Sequence, residues 1–229
     1  KGTPSVDELI TLYESDGITP EYLKEVDAIT EIPSQFYSKL SDLHQSEKKK
    51  TITALPLEDL PETETLFYKD DPMEFEAQVI KVFDDQVVLN RTSFYARGGG
   101  QEPDLGTIAG FKVVNVDKHA NTIVHQLEGG VPAEGDTVLC KVDEIRRSNI
   151  TKNHTSTHII NASSRKVLGS WIWQHSAFKD DDHARLDITH HSSLSDSEVK
   201  QIEDEANDMI KQNYPVNIDY YDRGTAEQK

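Results

Sequence analysis

A chain of 229 residues that is 35% hydrophobic can form one large domain or two small ones with ordinary cores. Its formal net charge of −17, from 41 acidic against 24 basic side chains, argues against a protein that grips nucleic acid by non-specific attraction, because neutralising phosphates takes clustered Lys and Arg, and DNA is not an expected partner. The single cysteine, Cys140, excludes an internal disulfide framework. No apolar run approaches the roughly 20 residues of a membrane span and no signal peptide is visible, so a cytoplasmic setting without membrane contact is expected.

In chain order, residues 1–54 read as helical. Ser5 followed by Glu8 has the form of a capping box at the head of a first helix. Pro20 opens a second in its first turn, and residues 36–43 suggest a third. Residues 55–64, acidic and carrying Pro56 and Pro61, have the character of a linker. The pattern then changes to period two. Strands are expected at 75–82 and 86–89, with Asp84 and Asp85 as the turn between them, and at 106–109, 111–116, 122–127 and 136–142. Several short strands at this spacing suggest a small β-barrel over 65–142. Cys140 falls in an alternating run and reads as a strand residue, not as a ligand or nucleophile. A helix is expected from Asp143, where acidic residues suit the positive end of the dipole, to a stop at Gly169. Strands at 171–178 and 183–189 follow, then a helix from the second capping box, Ser195 with Glu198, to about Asn213, and a last strand at 216–220. The fold class is α+β: an N-terminal helical segment, a small barrel with a glycine-rich loop, then a two-layer α/β subdomain over 143–229.

Two features carry chemistry. His154 and His158 lie four residues apart on the expected helix and so share one face. Both can reach one metal ion, and a tetrahedral zinc site readily takes a helical His pair as half its ligands. The same spacing also arises on an ordinary polar helix, and both readings stay open. No Glu directly follows His154, so the His-Glu-x-x-His pattern does not apply. The second feature is Gly98-Gly99-Gly100-Gln101. Consecutive glycines cost backbone entropy and mark places where something approaches the main chain closely. The loop matches neither a P-loop nor Gly-x-Gly-x-x-Gly, and a hairpin turn is the plain alternative. Arg146, Arg147, Lys152, Arg165 and Lys166 make the His-bearing helix less acidic than the chain as a whole, as Lys48-Lys49-Lys50 does elsewhere. A solvated face and an RNA contact both fit these charges.

The combination is more specific than its parts. Arg91-Thr92-Ser93-Phe94-Tyr95-Ala96-Arg97-Gly98-Gly99-Gly100-Gln101, followed by Asn153-His154-Thr155-Ser156-Thr157-His158, resembles the editing domain of alanyl-tRNA synthetases and its free-standing trans-editing relatives. The likeness continues through Val167-Leu168-Gly169, Gln174 and the run from Ala184 to His190. Backward, residues 7–18 are similar to the end of the tRNA-recognition region that precedes the editing domain. Nearly the whole chain is covered, in an archaeal-like arrangement. The resemblance implies that 1–54 ends the tRNA-recognition region, that 143–229 is an editing core, and that the rest of the synthetase acts in cis. It implies zinc on His154 and His158, catalytic or pocket roles for Thr157, Gln174 and Thr92, the last as a sensor of a substrate hydroxyl, and a tRNA 3′-end contact for Gly98, Gly99, Gly100 and Gln101. The family draws its other two zinc ligands from a downstream Cys-x-x-x-His motif. These 229 residues do not contain one, and Cys140 has no His four residues on. A half-built zinc site is therefore expected, metal-free or weakly metallated.

The implied activity is hydrolysis of the ester that joins serine or glycine to alanine tRNA. Serine differs from alanine by one hydroxyl, an addition that a small pocket rejects poorly, so a second, hydrolytic site removes the mistakes. The parent enzyme would charge tRNA(Ala) with alanine using ATP. Three alternatives stand beside this: the editing domain of threonyl-tRNA synthetase, which also uses His-x-x-x-His but lacks the Gly-Gly-Gly-Gln barrel; a non-catalytic tRNA-binding module; and a free-standing trans-editing protein, which the N-terminal helices disfavour.

Overall fold

The computed structural model describes residues 4–40, 43, 56–57, 60–217, 219 and 221. The Lys48-Lys49-Lys50 run and part of the expected linker lie outside the described residues. No described helix is long and apolar enough to cross a membrane.

Short-range signals set the N-terminal helices. In α1 (Val6–Asp16) the Ser5 hydroxyl accepts from Glu8 N at 3.3 Å while the Glu8 carboxylate accepts from Ser5 N at 2.7 Å, so two helix-end donors are satisfied reciprocally. Gly17 ends the helix at φ 65. Thr19 caps α2 (Pro20–Glu25), which has Pro at its first turn. Residues 36–40 form a further helical turn. Leu9, Ile10, Tyr13, Phe36 and Leu40 bury a small core between these pieces.

The mixed α and β architecture is the expected one. Six antiparallel strands close into a barrel in the order β2, β3, β7, β6, β5, β8. They are β2 (Glu74–Phe83), β3 (Gln86–Leu89), β5 (Gly106–Ile108), β6 (Phe111–His119), β7 (Thr122–Glu128) and β8 (Thr137–Val142). Closure leaves no free edge among them. Alternation drives the burial: Val138, Cys140 and Val142 of β8 point inward, between exposed neighbours. Burial pushes the Cys140 thiol up to about 12, which makes it a packing residue. Two two-residue strands, β1 (Glu64–Thr65) and β4 (Arg91–Thr92), pair in parallel beside the barrel. Thr63 is buried there, and its hydroxyl accepts from Ile123 N.

The second subdomain opens with α3 (Glu144–Leu168), capped by Asp143 through Arg146 N and stopped at Gly169. It packs on the antiparallel hairpin of β9 (Gln174–Lys179) and β10 (Ala184–Ile188), and against α4 (Asp196–Gln212), which carries the second capping box. The N-terminal helices dock here too: the Thr19 hydroxyl donates to Trp171 O, and the Tyr22 ring lies 5.0 Å from that of Trp171. Two strand expectations need correction. Trp171 and Ile172 are buried but precede β9, which starts at Gln174. The strand at 216–220 does not form at Val216, Asn217 or Asp219, while Ile218 and Tyr220 lie outside the described residues. An alternating pattern makes a strand only where an edge can receive it, and Val216 is 86% exposed.

Candidate functional site

The glycine loop is not a simple turn. Gly98 N and Gln101 N donate reciprocally to Gln101 O and Gly98 O, a tight closure with Gly99 at φ 59 and Gly100 at φ 75. The loop then joins the other subdomain: Lys179 N donates to Gly100 O at 2.8 Å, and Glu102 N donates to Lys179 O at 2.9 Å. A Cβ on Gly100 would stand 1.8 Å from Ala177 O. The close approach that the glycines foretold is thus to the protein's own strand β9.

This docking delivers Gln101, 5% exposed, to the helix. The carbonyl oxygen Oε1 of Gln101 accepts from His154 Nδ1–H at 2.6 Å. The bond fixes the tautomer and leaves His154 Nε2 as the free lone pair. His154 and His158 stack with ring centroids 5.1 Å apart and planes 18° from parallel, so the two imidazoles do share a face. Burial, then the Lys179 ammonium, then His158, hold the His154 imidazole below its ordinary pKa and keep it neutral, the form that ligates metal. Among the described residues no group of three or more His, Cys, Asp or Glu converges as a metal site. A tetrahedral zinc ion takes four ligands, and this pair offers at most two.

Of the other expected residues, Thr157 is buried on α3 with its hydroxyl donating to Asn153 O. Gln174 opens β9 opposite Ile188 and is exposed. Thr92 is placed elsewhere. It is fully buried in the barrel, its hydroxyl donating to His125 Nε2 at 2.9 Å and accepting from Phe94 N at 3.1 Å. The donor and one acceptor position of that hydroxyl are used inside the protein, and with no exposed surface it faces the barrel interior rather than a substrate. His125 completes the arrangement by donating from Nδ1 to Val87 O, and burial pushes its pKa down to about 4.

Three residues escaped sequence reasoning. Lys179 is 2% exposed, donates from Nζ to Gly99 O at 2.9 Å, and has its pKa lowered by desolvation. Only its position at the end of a strand pattern marked it. Arg147 is buried, and its guanidinium holds Asp104, Asp71 and Ser93 O, tying α3 to the barrel wall. Asn161, one turn past His158, has a buried side-chain oxygen without a partner. Asn153 adds a further tie by donating to Asp180 O. Most basic residues of α3 are thus committed internally, with Arg146 on Asp181 and Lys166 on Glu205.

A family model described as tRNA synthetases class II (A) matches residues 2–146. The chain is 86% identical over 229 residues to the alanine–tRNA ligase of Nitrosopumilus maritimus, covering 100% of this chain and 26% of that protein. It is 62% identical over 226 residues to the alanine–tRNA ligase of Cenarchaeum symbiosum, covering 99% and 25% respectively. With the alanine–tRNA ligase of Methanopyrus kandleri the identity is 41% over 248 residues, with 100% of this chain and 27% of that protein covered. The chain spans about a quarter of the length of the curated relatives it matches.

Proposed function

The chain belongs to the class II (A) tRNA synthetases, and from that membership we propose that it is the editing portion of an alanine–tRNA ligase, hydrolysing the ester of seryl- or glycyl-tRNA(Ala). One observation carries the reading: the glycine loop of the barrel places Gln101 Oε1 on His154 Nδ1, so two distant motifs build one site. In a relative of this kind, alanine activation with ATP and charging of tRNA(Ala) belong to the rest of the protein in cis.

His154 and His158 would hold zinc, with further ligands from outside the described residues. When bound, the metal supplies a Lewis acid and a means of positioning water or the substrate amine. The protein's own groups do the rest. Gln101 orients His154 and raises its basicity, as outer-shell partners of metal-bound imidazoles do. The amides of Gly99 and Gly100 and the Lys179 ammonium at the loop base would provide positive potential where the ester oxygen gains negative charge. Water oxygen bonds to the carbonyl carbon, the carbon–oxygen bond to the ribose breaks, and the proton from water passes to the ribose oxygen that leaves. Gln174, exposed at the start of β9, and Thr157, buried on α3, would shape the amino-acid pocket. Thr92 would serve the barrel interior through His125 and Phe94 N.

A second reading, a tRNA-binding module without hydrolysis, draws on the absence of a third converging ligand among the described residues. Serine release from seryl-tRNA(Ala), followed with zinc content by elemental analysis, separates the two. The proposal expects metal-dependent release that His154→Ala lowers at least a hundredfold. Tight tRNA binding with no release at saturating zinc would favour the module.

A further inference from the structure

The face that carries the His pair does not stop at His158. At 100° per residue, Asn161 and Arg165 continue the same stripe of α3, and Arg165 lies about 10 Å along the axis from His158. Arg165 sits in the last turn, where its carbonyl accepts from Gly169 N. Its guanidinium carbon lies 4.6 Å from the centroid of the Trp173 ring. Trp173 is 42% exposed, yet its backbone is fixed: Trp173 N donates to Thr189 Oγ1 at 3.0 Å, and Thr189 N donates to Trp173 O at 2.9 Å. A large indole thus stands at the surface on a fixed backbone, one residue before Gln174, with the Arg165 guanidinium against its ring.

Charge points the same way. In a chain of net charge −17, Arg146, Arg147 and Lys166 of this helix are all ion-paired. Among the described residues Arg165 has no carboxylate partner.

We propose that Arg165 and Trp173 form a platform for the unpaired nucleotides next to the 3′ end of an RNA whose terminal ester lies at the His pair. An aromatic face with a guanidinium stacked on it takes a nucleobase without regard to its identity, and the same guanidinium meets the phosphate. The alignment along one helix face leads a single-stranded tail from Trp173 toward His158. This assignment rests on the editing reading above and names how that site grips its substrate.

The test titrates the chain with a fluorescently labelled hairpin RNA bearing an unpaired 3′ tail, and with the same hairpin made blunt. Wild type should prefer the tailed RNA. Trp173→Leu should lose about tenfold or more of that preference, while Trp173→Phe keeps it within about threefold. Equal binding of both RNAs by wild type, or a full tail preference in Trp173→Leu, overturns the platform. Should Trp173→Leu fail to fold, Arg165→Gln decides, since it removes the charge of a half-buried side chain that has no carboxylate partner among the described residues: an unchanged tail preference overturns the proposal and a reduced one supports it. The hydrolytic reading fails separately. Trp173-dependent tail binding without serine release keeps the platform and removes the hydrolysis, whereas release with no Trp173 dependence does the reverse.

Discussion

Two regions of the molecule each hold a histidine against an uncharged oxygen, and their surroundings give the two rings opposite fates. In the barrel, His125 donates to Val87 O and accepts from Thr92, with no exposed surface. At the junction of loop and helix, His154 donates to Gln101 Oε1, and its other nitrogen has no protein partner among the described residues. The first ring is saturated and serves the fold; the second has a lone pair left over on a face open to solvent. A hydrogen-bonded histidine is therefore not informative by itself. What matters is whether the second nitrogen is spoken for.

The sharpest way to break the comparison is to separate the two regions. Arg147 leaves α3 to bind Asp104, which is fully buried and also accepts from Tyr95 N. Removing one partner of a buried ion pair leaves an uncompensated charge, so Arg147→Met should lower stability by about 3–5 kcal/mol in urea unfolding. A loss under about 1 kcal/mol would mean that the helix is held to the barrel by other contacts.

Acid distinguishes the rings next. The folded pKa of His125, about 4, lies below its ordinary 6.5. Above pH 6.5 both states carry a neutral ring. Between about 6.5 and 4 the unfolded chain takes a proton that the barrel refuses, so stability falls as pH falls through this window, by on the order of 3 kcal/mol. His125→Gln should flatten that limb, and His154→Gln should leave most of it. A limb unchanged by His125→Gln would contradict the sealed-ring account.

Thr92 sharpens the same contrast with a smaller effect. Thr92→Val removes the donor to His125 and the acceptor for Phe94 N at nearly constant volume. A cost of about 1–3 kcal/mol in thermal or urea unfolding is expected. Full stability in this variant would show that the hydroxyl is not needed inside.

Much of this was legible because the signals are local. The capping boxes at Ser5 and Ser195, the acidic start at Asp143, the Gly169 stop and the alternation around Cys140 all act within a few residues, and each element formed where they placed it. The His pair on one face follows from helix geometry alone. What was not legible depends on distant partners. That Gly100 must be glycine is decided by Ala177 O, on a strand of the other subdomain. The parallel pairing of β1 with β4 joins strands too short to show a period. Arg147 reads as a surface charge until Asp104 and Asp71 surround it. Thr92 lies in the motif that suggested an editing site, and motif membership does not say which way a side chain faces.

The central claim is that the loop and helix motifs make one hydrolytic centre through Gln101 and His154. Its most direct test measures serine release from seryl-tRNA(Ala) for Gln101→Leu beside Thr92→Val, with zinc affinity determined on the same samples. The account predicts that Gln101→Leu folds normally, binds zinc some 10–100-fold more weakly and loses release in proportion, while folded Thr92→Val keeps the wild-type rate. Wild-type zinc affinity and release in Gln101→Leu, with release lost in folded Thr92→Val, would contradict it.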